Sequence, residues 1–378
     1  MKKKNWLAIL LTLSMILCLA ACGGGTTQTP APSAAPGVEN SENVTTPEKT
    51  YNVVLVLANT LGDKAFSDMV WAGVQMAKEQ NPLVGNIKAI ELQGDTTTPV
   101  PTMTELAESK EWDIIITGTF SLKEAIMTVA EQFPEQKFII YDADLDYSNG
   151  AFANCASFAA LQNEGSFLGG ALAALMSETG VIGFVGGKET SSVSDFLVGY
   201  IEGAAYVNPD ITVRSSFVGN FTDTAKAKEL ALAQHAQGAD VIYAVCSGAG
   251  PGVYGAAAEN NFWALGVDSD QSLIFEETNP AIANAVMTSV VKNFDVILCK
   301  AINDVIAGDF EWGVHNAINL ADGGIGLAEN SYYEAAVPAD IRAQIDELAG
   351  KIESGEIQVS TAIGMEADVY EALKASVN

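Results

Sequence analysis

The sequence predicts an α/β protein of two doubly wound parallel-sheet lobes with a ligand cleft between them. Three observations carry this expectation. Short β-branched runs alternate with amphipathic stretches of helical length. The strand runs are apolar throughout, as strands covered by helices on both faces are. The alternation completes one series, breaks near Asn154 and begins again.

The first series predicts a strand at Val53–Leu57, a helix over Phe66–Glu79 and a strand at Ile87–Leu92. It continues with a helix near Thr102–Lys110, a strand at Ile114–Ile116, a helix over Leu122–Gln132 and a strand at Phe138–Ile140. The second predicts helix Leu161–Met176, strand Val181–Val185, helix Ser194–Val207 and strand Val213–Val218. Helix Thr224–Gln237, strand Val241–Val245, helix Gly252–Asn260 and strand Trp263–Val267 follow.

At 378 residues, 48% hydrophobic and 17% charged, the chain can bury a large core, and its length fits two domains. With 47 acidic against 19 basic side chains the net charge is −28. Such a surface repels phosphate backbones and anionic headgroups, which argues against a nucleic-acid partner.

Lys2, Lys3 and Lys4 precede an apolar run from Trp6 to Leu17 that is too short to span a bilayer. The segment closes on Leu19-Ala20-Ala21-Cys22, followed by three glycines. It resembles the lipobox of bacterial lipoproteins. That resemblance implies a signal peptide over 1–21, a lipid on Cys22, and a mature protein tethered to the extracytoplasmic face of the cell membrane. Residues 23–50 hold almost no large apolar side chain and read as a flexible spacer, so the lipidated linker is expected over 22–50. No later stretch reaches ~18 consecutive apolar residues. Cys155, Cys246 and Cys299 form an odd, scattered trio, read as buried thiols rather than a disulfide framework.

In open parallel sheets ligands bind beyond the carboxyl ends of the strands. The informative residues are therefore the polar and aromatic ones after strands: Asn59 to Phe66, Asp142 and Asp144, Gly219 to Asp223, Ser247 to Gly252, Asp268 to Gln271, and Lys292. Carboxylates and amides with one lysine and phenyl rings suit a flat, polyhydroxylated ligand, because carboxylates accept from sugar hydroxyls and rings stack on a planar base.

The blocks GDKAF (62–66), IGFVGG (182–187), GADVIYAVCSGAGPGV (238–253), GVDSDQ (266–271), MTSVVKNFD (287–295) and NLADGGIGL (319–327) resemble the basic membrane protein family. These are the substrate-binding lipoproteins of nucleoside ABC importers. The resemblance covers the chain from about Tyr51 onward. It implies a type I periplasmic-binding-protein fold, with a base sandwiched between two rings and a ribose held by acidic residues and a lysine. By position, Phe66 matches the first ring and Phe221 the second, with Phe196 and Tyr200 as alternatives to the latter. Asp142, Asp270 and Lys292 match the polar contacts, Gly250 the glycine loop, and Asn59 a further polar contact. Ser67-Asp68 departs from the Asn-Gln of many members, which leaves purine against pyrimidine open, with purine the first expectation. The lobes are expected at 51–157 with about 292–318, and at 158–291 with about 319–378, hinged near Phe158 and Val291.

The resemblance implies a monomer that captures a nucleoside and hands it to ABC permease subunits, with no cofactor, metal or catalytic residue. The alternatives are the same fold around a sugar or other small polar metabolite, a signalling lipoprotein, and an exported nucleoside hydrolase. Two lookalikes fail. Gly250 to Gly255 spells G-x-G-x-x-G after a strand, but it lies in an exported chain and Pro251 removes a donor N–H. Asp142-x-Asp144-x-Asp146 begins like a calcium loop, yet Tyr147 and Ala153 stand where glycine and glutamate are needed. His235 and His315 have no metal-ligand spacing.

Overall fold

A computed structural model describes residues 49–377. The expected signal peptide, Cys22 and nearly all of the spacer lie outside the described residues.

The chain begins with β1 (Tyr51–Leu57), α1 (Phe66–Gln80), β2 (Val84–Glu91), α2 (Pro99–Ser109) and β3 (Ile114–Gly118). Then come α3 (Lys123–Gln132), β4 (Lys137–Tyr141), β5 (Cys155–Ala160), α4 (Gln162–Met176) and β6 (Val181–Gly186). Next are α5 (Ser191–Val207), β7 (Thr212–Phe217), α6 (Thr224–His235), β8 (Val241–Val245) and α7 (Gly250–Asn260). β9 (Trp263–Asp268), α8 (Gln271–Glu276), α9 (Pro280–Ala285), β10 (Val286–Lys292) and α10 (Phe294–Ala307) follow. The chain closes with β11 (Val314–Ile318), β12 (Ile325–Leu327), α11 (Ser331–Ala336), α12 (Ala339–Glu353) and α13 (Ala367–Ala375).

These strands form two sheets of six, ordered β11-β5-β4-β3-β1-β2 and β12-β10-β9-β8-β6-β7. All pairings are parallel except β10 with β12. The uninterrupted apolar strands follow from this layering. In β1, Val53, Leu55 and Leu57 point into one core cluster, while Val54 and Val56 point into another beneath α2 and α3. In β8, Val241, Tyr243 and Val245 face one core, and Ile242 and Ala244 the other.

Strand order reverses between β1 and β3 in one sheet and between β6 and β8 in the other, which creates a crevice at the carboxyl ends of each. The chain passes between the sheets three times: from β5 into α4, from β10 into α10, and from β11 to β12. Phe158 lies inside β5 and Val291 inside β10, each just before a crossing.

Close helix packing fixes the two helices that carry site residues. A Cβ on Gly199 or Gly203 of α5 would fall 2.1 or 1.9 Å from a carbonyl oxygen of α4. Likewise a Cβ on Gly73 of α1 would fall 2.5 Å from the Asp295 carbonyl of α10. Gly252 of the apparent G-x-G-x-x-G also serves packing, since its Cβ would meet the Thr224 carbonyl at 2.0 Å.

Helix α5 begins three residues before the expected Ser194, because the Thr190 hydroxyl accepts from Val193 N–H and caps it. Helix α7 begins at Gly250, with Pro251 in its first turn. Cys155, Cys246 and Cys299 are free and buried. His235 stacks on Phe262, with ring centroids 4.7 Å apart, and His315 Nδ1 lies 2.9 Å from Ser157 Oγ.

Candidate ligand-binding site

The carboxyl ends of both sheets converge on one cavity. Asn59 follows β1, and Thr119, Phe120 and Ser121 follow β3, while Asp142 follows β4. Thr190 precedes α5, whose first turns bring Ser192, Val193 and Phe196. Phe221 follows β7, Val245 and Ser247 lie at the end of β8, Val267 and Asp268 close β9, and Lys292 closes β10. Phe66, the first residue of α1, completes the wall.

The centres of water-sized spheres sweep about 160 Å³ inside this cavity. At ~10–15 Å³ per water, that is room for on the order of ten waters, or roughly 300 Å³ of liquid, the lower end of small-molecule pockets.

Of the residues expected from the sequence, Asn59, Phe66, Asp142, Phe221 and Lys292 line the cavity. Gly250 and Asp270 do not. Gly250 opens α7 against the Tyr254 hydroxyl, which a Cβ would approach to 3.0 Å. Asp270 caps α8: its Oδ1 accepts from Leu273 N–H and the Ser272 hydroxyl, and its Oδ2 from the Asn330 side chain at 2.7 Å. The carboxylate that reaches the cavity from this segment is Asp268. Of the alternative rings, Phe196 lines the cavity. Tyr200 is fully buried in the core against Phe184 and Tyr243.

A charged cluster forms one end of the site. Lys292 Nζ lies 2.8 Å from Asp142 Oδ1, with the lysine 2% and the aspartate 8% exposed. Burial alone would lower the Lys292 pKa, but the carboxylates of Asp142, Asp268 and Asp195 outweigh it and hold it above its ordinary value. Asp268 is raised from 3.8 to about 6, mainly by burial. The Lys292 charge opposes that rise, and the charges of Asp142 and Asp63 add to it. Asp142 and Asp268 both have a left-handed backbone, at φ 51° and 65°. Strain at two carboxylates on strand tips marks a place where orientation is worth backbone energy.

Rings surround the ammonium. Its nitrogen is 5.1 Å from the centroid of Phe66 and 5.0 Å from that of Phe196. Phe66 meets Phe294 edge-on at 5.7 Å and lies tilted against Tyr141 at 5.8 Å. Phe221 enters from the other sheet and lies on Gly187, where a Cβ would meet the ring at 2.3 Å. The loop before α1 is fixed by Asp63, which accepts from the N–H groups of Ala65, Ser67 and Asp68.

The two sheets' loops also touch each other directly. Gln271 Nε2 donates to the Lys64 carbonyl at 3.2 Å, and Lys64 Nζ sits 5.0 Å from the Phe275 ring. The cavity is thus a ring-lined hollow with a buried ionic end, reached between two lobes that contact one another. Among the described residues there is no group of three or more His, Cys, Asp or Glu placed to hold a metal ion. No helix there is long and apolar enough to cross a membrane.

Two doubly wound lobes around a hollow at the carboxyl ends of both sheets form the architecture of the periplasmic-binding-protein-like class. Its architecture is similar to that of an ABC transporter system solute-binding protein from Aeropyrum pernix K1, with a TM-score of 0.75 and 25% identity, covering 86% of this chain and 98% of that one. The chain belongs to the Bmp family, described as ABC transporter substrate-binding protein PnrA-like, which matches residues 50–359. Among relatives, the ABC transporter nucleoside-binding protein BmpA of Lactococcus lactis subsp. cremoris is 29% identical over 306 residues, 78% of this chain and 86% of that protein. Basic membrane protein A of Borreliella afzelii is 30% identical over 311 residues, 81% and 90% of the two chains. The family is one of solute-binding proteins, not enzymes.

Proposed function

We propose that this protein is an exported lipoprotein, anchored through Cys22 outside the cytoplasm, that captures a nucleoside between its lobes and delivers it to the permease of an ABC importer. One observation carries the ligand class. Phe66 and Phe221 stand on opposite lobes of the same hollow whose deep end holds Asp142, Lys292 and Asp268. Rings grip a planar heterocycle, and the carboxylates accept from the hydroxyls of a pentose while the ammonium donates. Asn59, Ser121, Thr190 and Ser247 supply neutral donors and acceptors for the base edge. The nucleoside-binding name of the Lactococcus relative supports the same reading.

The energetics suffice. Stacking supplies ~1–3 kcal/mol per base and each hydrogen bond to a charged group ~1.5–3 kcal/mol, against the ~8 kcal/mol of micromolar binding. We infer a purine as the preferred base, since the rings stack most strongly on the larger heterocycle.

The test is a thermal-shift panel of adenosine, guanosine, inosine and uridine beside ribose, free bases and amino acids. A shift with nucleosides, largest with purines, is the expected result. Shifts confined to sugars or amino acids, or release of free base on incubation, would overturn the proposal.

A further inference from the structure

The match to the family ends at residue 359, yet the ordered chain runs on through α13 to Val377, whose carbonyl accepts from Val213 N–H at the edge strand β7. No residue of α13 is buried. Its contribution to the core is correspondingly small, and its polar contacts fall on a narrow target, the amino-terminal turns of α5 and the loop before them.

The segment before α13 is anchored on Asp195. Asp195 is 1% exposed, and its Oδ1 accepts from the Thr361 hydroxyl at 2.6 Å and from Ala362 N–H at 2.8 Å. Its Oδ2 accepts from Gln162 Nε2 at 2.9 Å, and Gln162 is the first residue of α4 after the chain crosses from the first sheet. Glu189, two residues before α5, accepts from the Tyr370 hydroxyl at 3.3 Å and pairs with Lys374 at 3.1 Å. Further along α5, Glu202 accepts from Ser360 N–H at 2.9 Å. Between and beside these anchors lie Thr190, Ser192, Val193 and Phe196, all of which line the cavity.

We propose that residues 360–377 are a positioning element of the ligand cavity: by holding Asp195 and Glu189 from behind, the tail fixes the α5 wall, and with it the Phe196 ring that faces Lys292. Asp195 is a positioning residue, not a ligand contact, since it does not line the cavity. Through Gln162 the same carboxylate ties this wall to a crossing between the lobes, so loosening the tail loosens the wall and the closing geometry together. The inference rests on the reading of the cavity as a nucleoside site.

The experiment uses the exported chain without its leader and the panel of adenosine, guanosine, inosine and uridine as probes. Thr361→Val removes the hydroxyl donor, Thr361→Ser keeps it, and a Tyr370→Phe/Lys374→Met double variant releases Glu189. Thr361→Val and the double variant are each expected to raise the Kd by about tenfold, the change carried by one hydrogen bond to a charged group. Thr361→Ser is expected to bind like wild type. Amides of residues 191–196 should exchange faster in the weakened variants, while those of β8 and β9 remain unchanged.

If wild type binds none of the four nucleosides, the reading of the cavity fails. If wild type binds one and both weakened variants bind it equally well, or Thr361→Ser is as weak as Thr361→Val, the tail is only structural and this inference is overturned.

Discussion

Asp268→Asn is expected to make the empty protein more stable while making it a worse binder. Asp268 is 8% exposed, and burial raises its carboxyl from 3.8 to about 6 even with Lys292 nearby. A carboxyl raised in the folded state binds its proton more tightly there than in the unfolded chain. The ionisation cost is therefore absent below about pH 4, grows as pH rises to about 6, and is fully present above that. The gap between 3.8 and about 6 corresponds to about 3 kcal/mol. Asparagine copies the protonated carboxyl in shape and tolerates the left-handed φ of 65°, so the substitution removes the cost without backbone strain.

The assay is urea denaturation of both proteins without ligand from pH 4 to pH 8. The excess stability of Asp268→Asn should be near zero at pH 4 and rise to about 3 kcal/mol by pH 7. Taking the difference cancels the other carboxylates that titrate in this range. At pH 8 nucleoside affinity should fall by tenfold or more, because an amide replaces the anion that accepts the hydroxyls. A variant less stable than wild type at pH 8, or a difference that does not change between pH 4 and 7, would refute the reasoning.

Phe66→Ala should raise the nucleoside Kd by about 10- to 100-fold, the loss of ~1–3 kcal/mol of stacking, with little change in unfolding midpoint since the ring is only partly buried. Asp270→Ala should cost about 1–2 kcal/mol of stability through the lost cap of α8 and leave the Kd within about twofold, which titration calorimetry can separate from the effect at Asp268. Gln271→Ala removes the donor to the Lys64 carbonyl that joins loops of the two sheets, and stopped-flow release of a fluorescent nucleoside should become several-fold faster with association unchanged.

The alternating pattern was enough to find the strands, because sheets covered on both faces leave long apolar runs that periodicity detects. It also located the site in outline, since the fold sends every strand's carboxyl end toward the same crevice. Helix starts were harder. Placing α5 at Ser194 hid the capping role of Thr190 and left Ser192 outside the site, while Thr119, Phe120 and Ser121, polar and aromatic residues directly after β3, met the strand-tip criterion and were passed over. The two aspartates of GVDSDQ show a finer limit. Asp268 and Asp270 share the parity of one strand, so alternation cannot choose between them. The resemblance pointed to Asp270, yet Asp270 stands directly before the apolar periodicity of Leu273 and Ile274, the pattern of a helix cap, a signal that went unused and leaves Asp268 for the ligand.

What no local pattern could supply was the partnering of residues far apart in the chain. Asp142 and Lys292 were each legible as strand-tip residues, but nothing in either neighbourhood says that they meet at 2.8 Å across a separation of 150 residues. The pairing changes their meaning. Alone, Lys292 would be a buried ammonium with its pKa lowered by burial, whereas the carboxylate of Asp142 beside it helps hold it above its ordinary value. The same holds for Asp195 and Thr361, separated by 166 residues and ordinary in composition on both sides. Local sequence specifies which chemical groups stand at the strand tips, while the two sheets and their three crossings decide which of those groups neutralise one another. At Asp268 neutralisation is incomplete: the cluster holds one ammonium against Asp142, Asp268 and the nearby Asp195, and burial raises Asp268 to about 6 and Asp195 above its ordinary value as well. An excess of carboxylate facing a hollow is what a ligand rich in hydroxyl donors relieves, which is why a residue whose charge destabilises the protein without ligand is also one expected to hold the ligand.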